Sequence, residues 1–83
     1  MEKTIYTEQY GLFLQLLRES RLSSEVTQVE LASRLNATQT FVSKCERGER
    51  RLDVVELKQW CEAIEISLPD FVARLDDACK KRV

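Results

Sequence analysis

Between Thr27 and Gly48 the chain carries two helix starts and two helix stops, leaving room only for two short helices and a tight turn. Thr27 with Glu30 three residues on forms a capping box, since the hydroxyl accepts from a free backbone N–H while the carboxylate reaches back. A helix therefore begins at Gln28 and ends near Leu35, where Asn36 tolerates a left-handed backbone. Thr38 can cap the next helix, from about Gln39 to Arg47, and Gly48 stops it. Leu31, Ala32, Leu35, Val42 and Cys45 can pack on one another. Thr40, Ser43, Lys44 and Arg47 recur at i, i+3, i+4 and i+7 and share the opposite face. A polar, basic outer face on the second of two short helices is the pattern of a helix-turn-helix DNA reader.

The remaining residues read as three further helices. Tyr10, Leu12, Phe13, Leu16 and Leu17 give an apolar stripe to a helix from about Thr7 to Arg21. Asp53 with Glu56 repeats the capping signature. Behind it Val54, Leu57, Cys61 and Ile64 predict one buried side for a fourth helix, with Trp60 at its edge. Ser67, Pro69 and Asp70 start a fifth, whose stripe is Leu68, Phe71, Val72, Leu75 and Cys79. No segment alternates as a strand would. The expectation is an all-α, compact five-helix unit, a single domain over residues 1–83 with its core at about 7–79 and short tails, Lys80-Lys81-Arg82 being solvated.

A chain of 83 residues with 43% apolar and 33% charged side chains is an ordinary globular mixture. At this size folding buries only about 60% of the unfolded surface, so dimerisation would add needed stability. The longest uncharged stretches, Gln9 to Leu17 and Leu35 to Ser43, fall far short of a bilayer span. The N-terminus lacks a basic signal region, so the reading is cytoplasmic. Cys45, Cys61 and Cys79 have no Cys-x-x-Cys spacing and there is no histidine, which leaves neither a zinc site nor a Ser/His or Cys/His nucleophile. With no Gly-rich phosphate loop either, no cofactor and no enzymatic activity are expected.

The net charge of −1 hides a pattern. Residues 1–33 carry three basic and five acidic groups, residues 34–51 five basic and two acidic, and residues 52–83 five basic and seven acidic. The basic excess thus coincides with the outward-facing helix, and screening makes that local field count for more than the total. Gln39 can pair bidentately with adenine, Thr40 can bond a base edge or pack on a thymine methyl, and Lys44 can donate to guanine, with Ser43 on the same face. Arg47, Arg50 and Arg51 cluster just beyond the helix as phosphate contacts, and Thr38 and Gln28 stand at helix starts, where free N–H groups favour phosphate. Phe41 lies at a helical angle between the buried and outward faces, open to core or backbone contact.

The run from Leu17 to Leu75 resembles the lambda-repressor-like, XRE or Cro/C1-type helix-turn-helix family. The resemblance is carried by Leu17-Arg18, Thr27-Gln28-x-Glu30-Leu31-Ala32, Thr38 to Lys44, Glu46 to Arg51, and Ile66-Ser67-Leu68. It implies a five-helix DNA-binding domain in which Gln28 braces its helix on phosphate, Gln39, Thr40, Ser43 and Lys44 face the groove, and Phe41, Arg47 and the basic loop lie along the backbone. It also implies a homodimer on a partly palindromic operator in double-stranded DNA. Glu25 and Glu65 stand where many relatives have glycine, and Leu52 where proline is common.

The leading expectation is a transcriptional regulator, a repressor, that reads DNA through its third helix and dimerises through the C-terminal region. A second is an antitoxin or restriction-modification controller with the same chemistry and, for the antitoxin, a toxin as protein partner. A third is a helical adaptor with weak DNA binding, to which the acidic isoelectric point of about 5.5 lends support.

Overall fold

The start of each helix after the first is fixed by a side chain at its cap. In a computed structural model that describes residues 3–81, the chain forms α1 (Lys3–Ser23), α2 (Gln28–Arg34), α3 (Gln39–Arg47), α4 (Val54–Ala63) and α5 (Leu68–Lys81), with no strand among the described residues. Thr27 Oγ1 accepts from the Glu30 N–H at 3.0 Å, and Glu30 Oε1 accepts from the Thr27 N–H at 2.9 Å. Asp53 and Glu56 repeat the exchange at 2.7 and 2.9 Å. Thr38 and Ser67 cap α3 and α5 in the simpler way, each accepting one backbone N–H. α1 runs beyond the expected Thr7–Arg21 at both ends, because nothing interrupts the helix until the turn at Glu25.

Four helix ends close by one device. Glu25, Asn36, Gly48 and Glu65 are the described residues with positive φ, at 60°, 58°, 82° and 62°. Each donates its N–H to the carbonyl three residues back, and the next residue donates to the carbonyl five back, as in Ala37 to Ala32 at 2.8 Å and Ile66 to Cys61 at 3.0 Å. This is the Schellman arrangement, which satisfies carbonyls the helix would otherwise leave orphaned. Glycine belongs in it, yet glutamate holds two of the four positions.

α1 packs on α3 and α5, α2 on α3 and α4, and α4 on α5, around a core that includes Leu17, Leu31, Val42, Cys45, Trp60, Cys61, Ile64 and Phe71. Phe13 meets Phe71 edge to face with centroids 5.9 Å apart. Two expectations are corrected. Trp60 is not at the edge of α4 but fully buried, because α4 is covered on two sides, by α2 and by α5. Val54, expected on the buried side, is 65% exposed because it borders an open cleft between α1, α4 and α5. Val72 on the α5 stripe is exposed as well, while Leu68, Leu75 and Cys79 are half-buried. Lys80 and Lys81 make exposed pairs with Asp76 and Asp77; Arg82 lies outside the described residues. No helix of the described residues is long and apolar enough to cross a membrane.

Candidate nucleic-acid interface

Val42 and Cys45 turn one side of α3 into the core, and this leaves Gln39, Thr40, Lys44 and Arg47 exposed along the other, with Ser43 half-buried among them. The base-reading candidates are therefore on one surface. Thr38 stands at its edge, its hydroxyl accepting the Phe41 N–H at 3.1 Å. Lys44 is exposed, and its charge helps to lower the nearby Glu49 carboxyl.

A chain of hydrogen bonds runs from this surface into the core. Gln39 Nε2 donates to Gln28 Oε1 at 3.2 Å, and Gln28 Nε2 donates to Glu46 Oε1 at 3.0 Å. Glu46 in turn holds Arg21 through Nε at 2.6 Å and Nη2 at 3.1 Å, and Arg21 Nη1 reaches the Val26 carbonyl at 2.9 Å. Arg21 and Glu46 are only 7% and 5% exposed, so this is a buried ion pair with its hydrogen bonds satisfied. It ties α1, α2 and α3 together. A carboxylate can only accept, so Gln28 must present its NH₂ to Glu46 and its carbonyl to Gln39. That fixes which end of the Gln39 amide points inward.

Sequence reasoning missed Arg21 and Glu46 as partners. A signal was present for one of them: Arg21 follows Phe13 and Leu17 on an otherwise apolar stripe, whereas Glu46 only sits one turn after buried Val42. The pairing itself is non-local. Gln28, expected to reach phosphate, has both ends of its side-chain amide committed to Glu46 and Gln39.

The arginines at and beyond the C-terminal end of α3 are also engaged. Arg47 meets Glu49 through Nε at 2.9 Å and Nη2 at 3.3 Å and also donates to the Ser43 hydroxyl. Arg50 forms a two-pronged pair with Glu56, both bonds 2.8 Å, and lies over the Phe41 ring at 5.1 Å. Arg51 lies over Tyr10 at 4.3 Å. The hydrogen bonds from Arg47 and Arg50 hold the Glu49 and Glu56 carboxyls below their ordinary range, and the same bonds raise the two guanidiniums. Phe41 is half-buried, packed against the core on one side and under Arg50 on the other. Gly48 is required where it stands: at φ 82° a side chain is strained, and a Cβ would come within 2.9 Å of Leu14 Cδ1.

Two short capped helices, the second with its outer face exposed, define a helix-turn-helix DNA-binding domain. The family model for helix-turn-helix proteins matches residues 17–71. Among solved structures, the chain is similar to an XRE-family like protein from Pseudomonas syringae pv. tomato str. DC3000, with 42% identity over 92% of this chain and 93% of that one, TM-score 0.86. The wild-type restriction-modification controller protein C.Esp1396I is 26% identical over 88% of this chain and 95% of its own, TM-score 0.79. The nucleoprotein complex of C.Esp1396I matches at 25% identity over 86% and 92%, TM-score 0.76. No curated protein sequence matches the chain significantly. The chain belongs to the XRE, or Cro/C1-type, helix-turn-helix family. It is a DNA-binding transcription regulator by that membership.

Proposed function

We propose that the protein is a repressor that binds a partly palindromic operator as a homodimer, each copy placing α3 in the major groove. The groove, about 12 Å wide, admits one α-helix and is read by side chains near its N-terminus. Gln39, Thr40, Ser43 and Lys44 then face base edges, while Thr38, Phe41, Arg47, Arg50 and Arg51 follow the backbone with Gln28 behind Gln39. The observation that carries this reading is the chain from Gln39 through Gln28 to the buried Glu46, which gives the first residue of α3 a defined donor and acceptor direction. An amide so held suits bidentate pairing with adenine.

One reading helix contacts few bases, so a two-fold pair of half-sites supplies the affinity and specificity that one copy lacks. Support for a homodimer comes from Val54, Val55 and Val72, left exposed on α4 and α5, and from a cleft of about 680 Å³ lined by Val54 with Tyr10, Phe13, Leu52 and Leu75. The reading sets the protein in the cytoplasm with its DNA. A second reading, a restriction-modification controller, is favoured by the similarity to C.Esp1396I over nearly the whole of both chains. A toxin partner would add to this chemistry without replacing it.

The test is selection of random duplex DNA on the purified protein at two salt concentrations under reducing conditions. Enrichment of a two-fold symmetric site, with half-sites about one helical turn apart, is expected. A folded protein that enriches no sequence overturns the reading and points to an adaptor.

A further inference from the structure

In the segment richest in positive charge, two of the five basic side chains are each paired with a carboxylate. Arg47 and Arg50 are each held by a carboxylate through two roughly parallel N–H···O bonds, the fork geometry that a guanidinium also presents to phosphate. We propose that Glu49 and Glu56 are intramolecular surrogates for DNA phosphate, occupying these two arginines in the free protein and lowering its affinity for every duplex alike. The inference rests on the reading that Arg47 and Arg50 meet the DNA backbone.

Glu56 is prepared for this part without help from Arg50. Its Oε1 accepts the Asp53 N–H at 2.9 Å in the α4 capping box, so the carboxylate is already oriented when the arginine arrives. Phe41 sets the other boundary, its ring under the guanidinium at 5.1 Å. Arg50 therefore has a defined resting place. The cap does not need the charge, because glutamine serves in a capping box as well as glutamate. Glu49 stands directly after Gly48, whose left-handed turn brings it back beside Arg47.

Both pairs are solvent-exposed, with side chains 53% and 54% exposed in one and 44% and 28% in the other. Exposed pairs are weak, so phosphate can displace the carboxylates, and each should lower affinity by only about 1.5- to fivefold. Lys44, exposed and held in no two-pronged pair of this kind, feels Glu49 only at longer range. Any duplex must displace the glutamates, whatever its bases, so the effect falls fully on non-specific binding.

The experiment is binding to a random-sequence duplex and to the selected operator, by fluorescence anisotropy at low salt. The variants are Glu49→Gln, Glu56→Gln, Arg50→Ala and the double variant Arg50→Ala/Glu56→Gln, with thermal melts to establish folding. Glu49→Gln and Glu56→Gln should each tighten both duplexes about 1.5- to fivefold, and Glu62→Gln, which removes a carboxylate paired with Lys58 elsewhere on α4, should not. In the Arg50→Ala background the gain from Glu56→Gln should shrink towards none, because the glutamate acts through the arginine. An equal gain with or without Arg50, or an equal gain from Glu62→Gln, means simple charge repulsion and overturns the proposal. If Arg50→Ala weakens binding but Glu56→Gln does not tighten it, the surrogate role alone fails. If Arg50→Ala changes nothing, the backbone-contact reading fails and takes this proposal with it.

Discussion

Arg21 on α1 and Glu46 on α3, far apart in sequence, form a buried ion pair whose carboxylate also receives the amide of Gln28. The pair holds α3 to the body of the domain. Removing one partner strands the other charge, so Glu46→Ala should destabilise the fold by about 3–5 kcal/mol in urea unfolding. Replacing both, as Arg21→Met with Glu46→Leu, should cost far less. A double variant as unstable as the single one would contradict this account.

The same carboxylate anchors the hydrogen-bond chain that ends at Gln39. Gln39→Ala should cost about 1–3 kcal/mol on the selected operator and relax preference at one base position, whereas Arg50→Ala should weaken all sequences alike. Gln28→Ala should relax the same position as Gln39→Ala, by a smaller amount, since it frees the amide without deleting it. Quantitative binding to single-base operator variants separates these outcomes. Loss of preference at a different position in Gln28→Ala would break the link between the two glutamines.

Glu25 and Glu65 occupy left-handed positions that cost a non-glycine residue about 1–2 kcal/mol. Glu25→Gly and Glu65→Gly should each stabilise the protein, by about 0.5–1 kcal/mol once the added freedom of the unfolded chain is subtracted. Gly48→Ala should do the reverse, since it meets both the strained φ and Leu14. Thermal melting of the three variants would show it, and a destabilised Glu65→Gly would mean the glutamate side chain matters more than its backbone.

Thiol chemistry should single out Cys79. Cys45 and Cys61 are fully buried, and burial pushes both thiols up, Cys61 to about 11. Iodoacetamide on the native protein at pH 8 should modify half-buried Cys79 and spare the others, as peptide mass spectrometry would read. The folded thiols keep their protons above the unfolded value of 9.0, so their contribution to stability is intact below pH 9 and is lost as pH rises through the folded values, for Cys61 about 11.

Acid should act through the caps and the arginine pairs. The Thr27 N–H lowers the Glu30 carboxyl, and Arg47 and Arg50 lower those of Glu49 and Glu56, each from an ordinary 4.5. The unfolded chain therefore takes up protons first, and this part of the stability, present above pH 4.5, falls away below it. Melting temperature followed from pH 7 to pH 3 should drop, and less so in Glu30→Gln, which keeps the cap without the charge.

The sequence was most legible where structure is local. Thr27 with Glu30 and Asp53 with Glu56 are contained within single helical turns, and both boxes form. Asn36 and Gly48 were readable as stops for the same reason. Trp60 was misjudged because a helical stripe tells which residues share a face, not how many neighbours arrive over the flank. The Arg21–Glu46 pair depends on α1 and α3 meeting, which no spacing within either helix encodes. In the interface, exposure of Thr40, Lys44 and Arg47 followed from periodicity. That Arg47 and Arg50 rest on glutamates did not, since Glu49 and Glu56 read only as a neighbouring charge and a cap.

The four left-handed helix ends also determine how the molecule opens. At each, the amide after the turn, that of Val26, Ala37, Glu49 or Ile66, is bonded back into the preceding helix. In hydrogen–deuterium exchange these joints should be protected nearly as well as the helices, since none can release its proton until the helix before it frays. Such a protein has few places to loosen by parts, and it should breathe as one cooperative body with α3 fixed to the rest.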